Sequence, residues 1–214
     1  MHKALRKFGC VAGVLTPFWL LVGLALAGAL YPGYSHLNQA MSELGALGAP
    51  THELSPLINN LPLGLLFFTF GVTVFACFEG RGLAQISGVL IALHGIASLF
   101  TGYFACDAGC GLQHPSFSQT VHNSAWLMMF LTLVIANALW VYLASRLLGS
   151  KAFAWFSLAC TLVAVAALPL MGLAVAAGEG FGLYQRLNYG ASVVWIGVFA
   201  ALLLVREKRR SDHA

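Results

Sequence analysis

The chain has 214 residues, of which 59% are hydrophobic and only 8% charged, where a soluble domain carries about 25% charged residues. Mean hydropathy is +0.83 and the formal net charge is +4. A water-soluble fold of this size cannot hide so much apolar surface, and a disordered chain is excluded on the same grounds.

A helix that crosses a bilayer needs roughly 20 apolar residues. Six runs qualify, near 10–31, 57–78, 84–104, 121–145, 152–176 and 187–205. They predict an all-α integral membrane bundle of six transmembrane helices, one domain over 1–214. The first run has a basic start, but its apolar core exceeds the roughly 7–15 residues of a signal peptide; we expect it to stay as a span. An even number of spans puts both termini on one side. Every Lys and Arg except Arg186 falls on that side, so the positive-inside rule places both termini in the cytoplasm. In a bacterium the membrane would be the cytoplasmic (inner) one. The cations sit in short clusters between apolar runs, which offers nucleic acid no basic face.

The opposite side holds most of the reactive side chains. The loop 32–56 carries His36, Ser42, Glu43, His52 and Glu53, with Tyr34, Leu37, Met41 and Leu44 among them. Such a loop is expected to lie on the membrane surface or to fold back as a lid over the bundle mouth. Ser42 is a nucleophile with His36 or His122 as base, or else it N-caps a short turn; no G-x-S-x-G elbow surrounds it. Asn59 and Asn60 open the second span just ahead of Pro62. At membrane depth they need polar partners.

In the third span His94 stands near the midplane, with Ser87, Ser98 and Thr101 at helical spacing on its face. Gly88, Ala92, Gly95 and Gly102 run beside this stripe and suit close helix contact. His94 is either a neutral imidazole bonded to a neighbouring helix or a proton relay or ligand contact. The remaining His2 and His213 lie at the termini. Pro17 and Pro169 are expected to kink the first and fifth spans.

The third span ends in Phe-Ala-Cys-Asp-Ala-Gly-Cys, residues 104–110, and His122-Asn123 opens the fourth. Asp107 and His122 thus sit at adjoining helix ends. Either they pair and fix the hairpin, or Asp107, His114 and His122 ligate zinc, or Asp107 sets His122 up for acid–base work on a lipid headgroup. Cys106 and Cys110 form a disulfide in an oxidising compartment or serve as thiolate ligands. Arg186 holds an anionic group such as a phosphate, or pairs with Glu179 and anchors the sixth helix. His36, Glu43, His94 and Asn60 complete the candidate binding residues.

Tyr-Pro-Gly-Tyr at 31–34, Met-Ser-Glu-Leu-Gly-Ala at 41–46, Phe-Ala-Cys-Asp at 104–107, His122-Asn-Ser-Ala, Gln-Arg-Leu at 185–187 and Trp195 occur in this order. The pattern resembles the domain-of-unknown-function family numbered 998, six-span prokaryotic membrane proteins, over almost the whole chain. The resemblance implies the six-span fold and highlights Ser42, Asp107, His122 and Arg186. The Ser, Asp and His set is also similar to membrane hydrolases that include alkaline ceramidases, which hold zinc with several His and an Asp. This chain has no paired His on a late helix.

The sequence contains no nucleotide-binding loop, dinucleotide fingerprint or haem-attachment motif. The expected function is a polar site on the non-cytoplasmic side that binds or acts on a lipid headgroup or small polar molecule, with membrane hydrolysis one form of it. A structural accessory protein and a small-solute transporter are the alternatives. Expected partners are membrane lipids, with homo-oligomerisation possible.

Overall fold

The computed structural model describes residues 3–111 and 113–212, without the side chains of Lys3 and 209–212. His2 and His213, and the side chains of Lys3, Arg209 and Arg210 that entered the charge asymmetry, lie outside the described residues. Among the described residues there are six long helices and no strand: α1 (Lys3–Ala29), α2 (Leu61–Cys77), α3 (Gly82–Tyr103), α4 (Phe117–Leu147), α5 (Lys151–Ala177) and α6 (Phe181–Asp212). Each is long and apolar enough to cross a membrane, α2 together with the turn that precedes it. Phe8, Phe18, Leu21, Trp155 and Leu173 are among the large apolar side chains exposed on the outside. Such a surface suits hydrocarbon, and the protein is an integral membrane protein.

Each helix packs against its neighbours in the chain, and α6 returns to α1, so the six form a ring. The start of α1 and the end of α6 lie at one end, the terminal end, and the described parts of the long loops 30–55 and 104–116 at the other, the loop end. The terminal half is filled by aromatic side chains. Trp140 and Trp195 are fully buried and meet Phe199 at 4.3 and 5.3 Å between ring centroids. Each indole N–H finds a serine: Trp140 donates to Ser87 Oγ and Trp195 to Ser157 Oγ, both at 2.9 Å. A buried indole needs such a partner. Ser87 of the polar stripe is therefore a structural acceptor.

The closest helix contact is between α2 and α3. Gly64 and Gly71 of α2 face Gly95 and Gly88 of α3 across the antiparallel seam. A Cβ on Gly95 would stand 2.5 Å from the Gly64 carbonyl oxygen, and one on Gly88 the same distance from the Phe75 nitrogen. In lipid, where no hydrophobic effect drives helices together, such backbone contact is what holds them.

Helix ends depart from the apolar runs where capping decides them. The α4 helix starts at Phe117, about a turn before its run, because Ser116 Oγ accepts from Gln119 N at 3.1 Å. The α6 helix begins at Phe181 and continues through its polar tail. Pro17 and Pro169 do not interrupt α1 or α5. Pro62 has a different effect. It has no N–H for the Ile58 carbonyl, and Trp19 of α1 supplies the missing donor at 2.8 Å. The chain enters α2 through a π-turn, Pro56–Asn60, that carries both asparagines.

Candidate functional site

The loop 30–55 folds back over the bundle mouth as a lid. Its centre is a 3-10 turn, Met41–Gly45, whose Leu44 is fully buried. Glu43 belongs to this turn: Oε1 accepts from Ala40 N at 2.7 Å and Oε2 from Gln39 Nε2 at 2.9 Å. It caps this turn. Ser42 sits inside the turn, so it does not N-cap it. Thr51 and His52 brace the turn from behind, donating to the carbonyls of Leu44 and Gly45 at 2.7 and 2.8 Å.

The start of α6 clamps the lid. Arg186 Nη1 donates to the carbonyls of Gln39 (3.1 Å) and Gly182 (2.9 Å); Nη2 donates to Tyr34 Oη (2.7 Å) and His36 Nδ1 (3.2 Å). Gln185 Oε1 accepts from Met41 N at 2.7 Å, and Leu183 N donates to Leu37 O at 2.8 Å. Gly182 lies against the lid backbone, where a Cβ would stand 2.7 Å from His36 O. The expected anion site at Arg186 is therefore a strap, its guanidinium committed to the protein. The other side of the lid is tied to the next loop through Leu47 N and Cys106 O, at 2.9 Å.

His36 takes part in the strap as an acceptor, so Nδ1 is unprotonated there. Burial, and then the Arg186 charge, lower its pKa below the ordinary value of about 6.5. Tyr34 is pushed upward by burial, with Arg186 opposing. The neutral form of His36 is favoured by the fold, so its contribution is complete above the unfolded value and fades as pH falls through the folded one. Imidazole NMR should show His36 titrating below 6.5 in the wild type and moving upward in Arg186→Ala.

The junction of α3 and α4 does not pair Asp107 with His122. The Asp107 carboxylate accepts from Ser116 Oγ at 2.6 Å and Ser116 N at 2.9 Å. These two bonds lower its pKa. Its backbone N–H donates to Gln119 Oε1 at 2.7 Å. Asp107 thus braces the start of α4, where serine, its nearest donor, outcompetes a histidine more than a turn further on. Cys106 and Cys110 are joined by a disulfide, with Cα atoms 5.1 Å apart. His114 is exposed, with a left-handed backbone. Among the described residues no three His, Cys, Asp or Glu side chains converge on a metal site, and the expected zinc set Asp107, His114 and His122 is not assembled.

His122 turns instead into the bundle. Its Nδ1 faces the Phe104 carbonyl at 2.8 Å, and a carbonyl only accepts, so Nδ1 carries the proton and Nε2 is an acceptor; the Thr101 carbonyl also faces the ring. The ring lines a cavity of about 110 Å³ beneath the lid. At roughly 10–15 Å³ for each water, this is room for several waters or a small polar group. Ser42, Asn60, Gln185, Asn188 and Tyr189 line it too. Asn60 is partly committed, donating to Thr101 Oγ1 at 2.9 Å. His94 lies behind the wall: Nδ1 donates to Met129 O at 3.0 Å and Nε2 accepts from Tyr189 Oη at 3.2 Å. It positions Tyr189 and is fully buried.

Several cavity groups keep unused capacity, and Asn59 Oδ1 is buried with no partner among the described residues. The Ser42 hydroxyl and His122 Nε2 receive no hydrogen bond from the described residues. Gln185 uses only its oxygen, and Asn188 only its nitrogen, donating to Ala164 O at 2.6 Å. Gln185 Nε2 and Asn188 Oδ1 have no partner among the described residues. Leu20, Leu24, Leu63, Trp126 and Phe130 supply apolar wall. Among the described residues no Asp, Glu, Lys or Arg lines the cavity.

Asn188, Tyr189 and Trp126 were not anticipated. A signal existed for the first: Gln185, Asn188 and Ser192 are spaced three and four apart on α6, a second polar stripe like that around His94. All three are buried.

A family model described as "protein of unknown function (DUF998)" matches residues 14–202. No curated protein and no solved structure matches the chain.

Proposed function

We propose, from the premise that the chain belongs to the DUF998 family, that it holds an uncharged polar group of an amphiphilic molecule in the lidded cavity. One observation carries this reading: four hydrogen-bonding groups, at Ser42, His122, Gln185 and Asn188, line one cavity with unused capacity. Buried polar groups are normally satisfied, so the cavity suits a ligand, or waters in its absence, offering both donors and acceptors. The lack of a charged wall residue speaks for an uncharged group such as a glycerol hydroxyl or an ester, and the apolar walls suit an acyl chain. The asymmetry of Lys and Arg supports cytoplasmic termini, which put the cavity in the outer leaflet of a bacterial inner membrane.

Binding of diacylglycerol to the protein in nanodiscs tests this. His122→Ala and Ser42→Ala should each weaken it by up to about tenfold, the worth of one hydrogen bond, while Ser42→Ala changes thermal stability little. Equal binding by wild type and variants, or a preference for phosphatidylserine over diacylglycerol, would sink the reading.

A second reading, ester hydrolysis, rests on a hydroxyl and an unprotonated imidazole nitrogen in the same cavity. Ser42 Oγ would bond to the acyl carbon as His122 Nε2 takes its proton, and the glycerol oxygen would leave with that proton. Water would then release the acyl group by the reverse transfer. Fatty-acid release by wild type, absent in Ser42→Ala, supports this reading; binding without release leaves the first.

A further inference from the structure

We infer that the terminal end of the bundle carries a second site, independent of the lidded cavity, that binds a phosphate group. A cavity of about 280 Å³ opens there between the α2–α3 turn, the α4–α5 turn and α6. Three arginines from three separate elements line it: Arg81, Arg146 and Arg206.

Each is held differently. Arg206 Nη1 donates to the Leu147 carbonyl at 2.8 Å, which fixes it at the α4–α5 turn. The Arg146 guanidinium carbon lies 4.0 Å from the centre of the Tyr142 ring. Arg81 has no side-chain hydrogen bond among the described residues. Two acids, Glu79 and Glu207, share the wall, and Glu207 also faces Arg6 at 3.8 Å. Positive charge therefore remains in excess around the cavity.

Helix dipoles explain only part of this. Arg146 lies in the last turn of α4, where a cation is favoured. Arg81 occupies the N-cap of α3, where a cation is disfavoured and an anion is welcome. An anion in the cavity satisfies both the three arginines and this helix start. Guanidinium forks match phosphate geometry, and basic pockets between helix ends at the membrane surface suit anionic lipid headgroups. A headgroup phosphate and free inorganic phosphate offer the same chemistry, and the test separates them.

The full-length protein in phosphatidylcholine nanodiscs is titrated with phosphatidylglycerol in one arm and with inorganic phosphate in the other. Thermal unfolding and native mass spectrometry provide the readout. Wild type should gain stability and retain the anion. Arg81→Gln with Arg146→Gln should weaken binding about tenfold or more, since both side chains are exposed and neither donates a hydrogen bond that the fold needs. Lys151→Gln, an exposed charge outside the cavity wall, should bind like wild type. A response to phosphatidylglycerol alone identifies the lipid as the source; a response to both identifies phosphate itself. The inference is overturned if neither anion binds, if the double variant binds like wild type, or if Lys151→Gln causes the same loss.

Discussion

Gly88→Val should prevent stable assembly of the bundle, and Gly71→Val should do the same from the other side of the seam. A Cβ at Gly88 would stand 2.5 Å from the Phe75 nitrogen, and one at Gly71 2.7 Å from the Gly88 carbonyl oxygen. These are backbone atoms, so no rotamer change relieves the overlap. The two helices would have to separate along the whole seam, and Asn60 would lose its hold on Thr101. Overpacking a core costs typically 1–3 kcal/mol; forcing a backbone seam apart belongs at or above the top of that range, about 3 kcal/mol. Gly172→Ala in α5 is the contrast, because nothing lies within 4 Å of a Cβ there. It should leave stability unchanged or raise it by up to about 1 kcal/mol through helix propensity. Thermal unfolding in detergent compares the three. A Gly88→Val protein as stable as Gly172→Ala would show that the seam is not a principal source of stability.

The seam also shows why the fold was legible in the sequence. Apolar runs of bilayer length and glycines at helical spacing are local signals, and they located six spans to within a few residues at most ends. Partner choice is not local. Asp107 and His122 adjoin at two helix ends, and spacing alone permits a pair. Side-chain direction decides otherwise: Ser116 is the nearer donor for the carboxylate, and the His122 ring turns towards Phe104 O. Arg186 shows the same limit. An isolated arginine on the less charged side of the membrane reads as an anion site, because no sequence signal states that lid carbonyls will occupy its donors. The α6 stripe of Gln185, Asn188 and Ser192 was readable by the rule that picked out the His94 face. It is obscured because its first residue falls in the loop between the fifth and sixth apolar runs, whereas α6 begins at Phe181.

Arg186→Ala should release the lid. The side chain makes four contacts within 3.2 Å, two to backbone carbonyls, one to Tyr34 and one to His36. Hydrogen bonds to a charged group contribute roughly 1.5–3 kcal/mol each, but the lid edge is partly wet and water recovers much of this. A net loss of about 3 kcal/mol is expected. Arg186→Lys should restore little of it, because one ammonium at the end of a flexible chain cannot replace a planar fork reaching acceptors on both sides. The lid also brings Met41 and Ser42 to the cavity, and Gln185 bonds to Met41 N from the residue beside Arg186. Loosening the strap therefore moves one cavity wall, Ser42 with it, without substituting any group proposed to meet the ligand. Limited proteolysis should cut Arg186→Ala within residues 32–56 faster than wild type. Diacylglycerol binding should fall with it, and His122→Ala should weaken binding while leaving proteolysis unchanged. If Arg186→Ala resists proteolysis like wild type, the lid is held by its own turn and by the Leu47–Cys106 tie; if it is cut but binds normally, the lid is no part of the site.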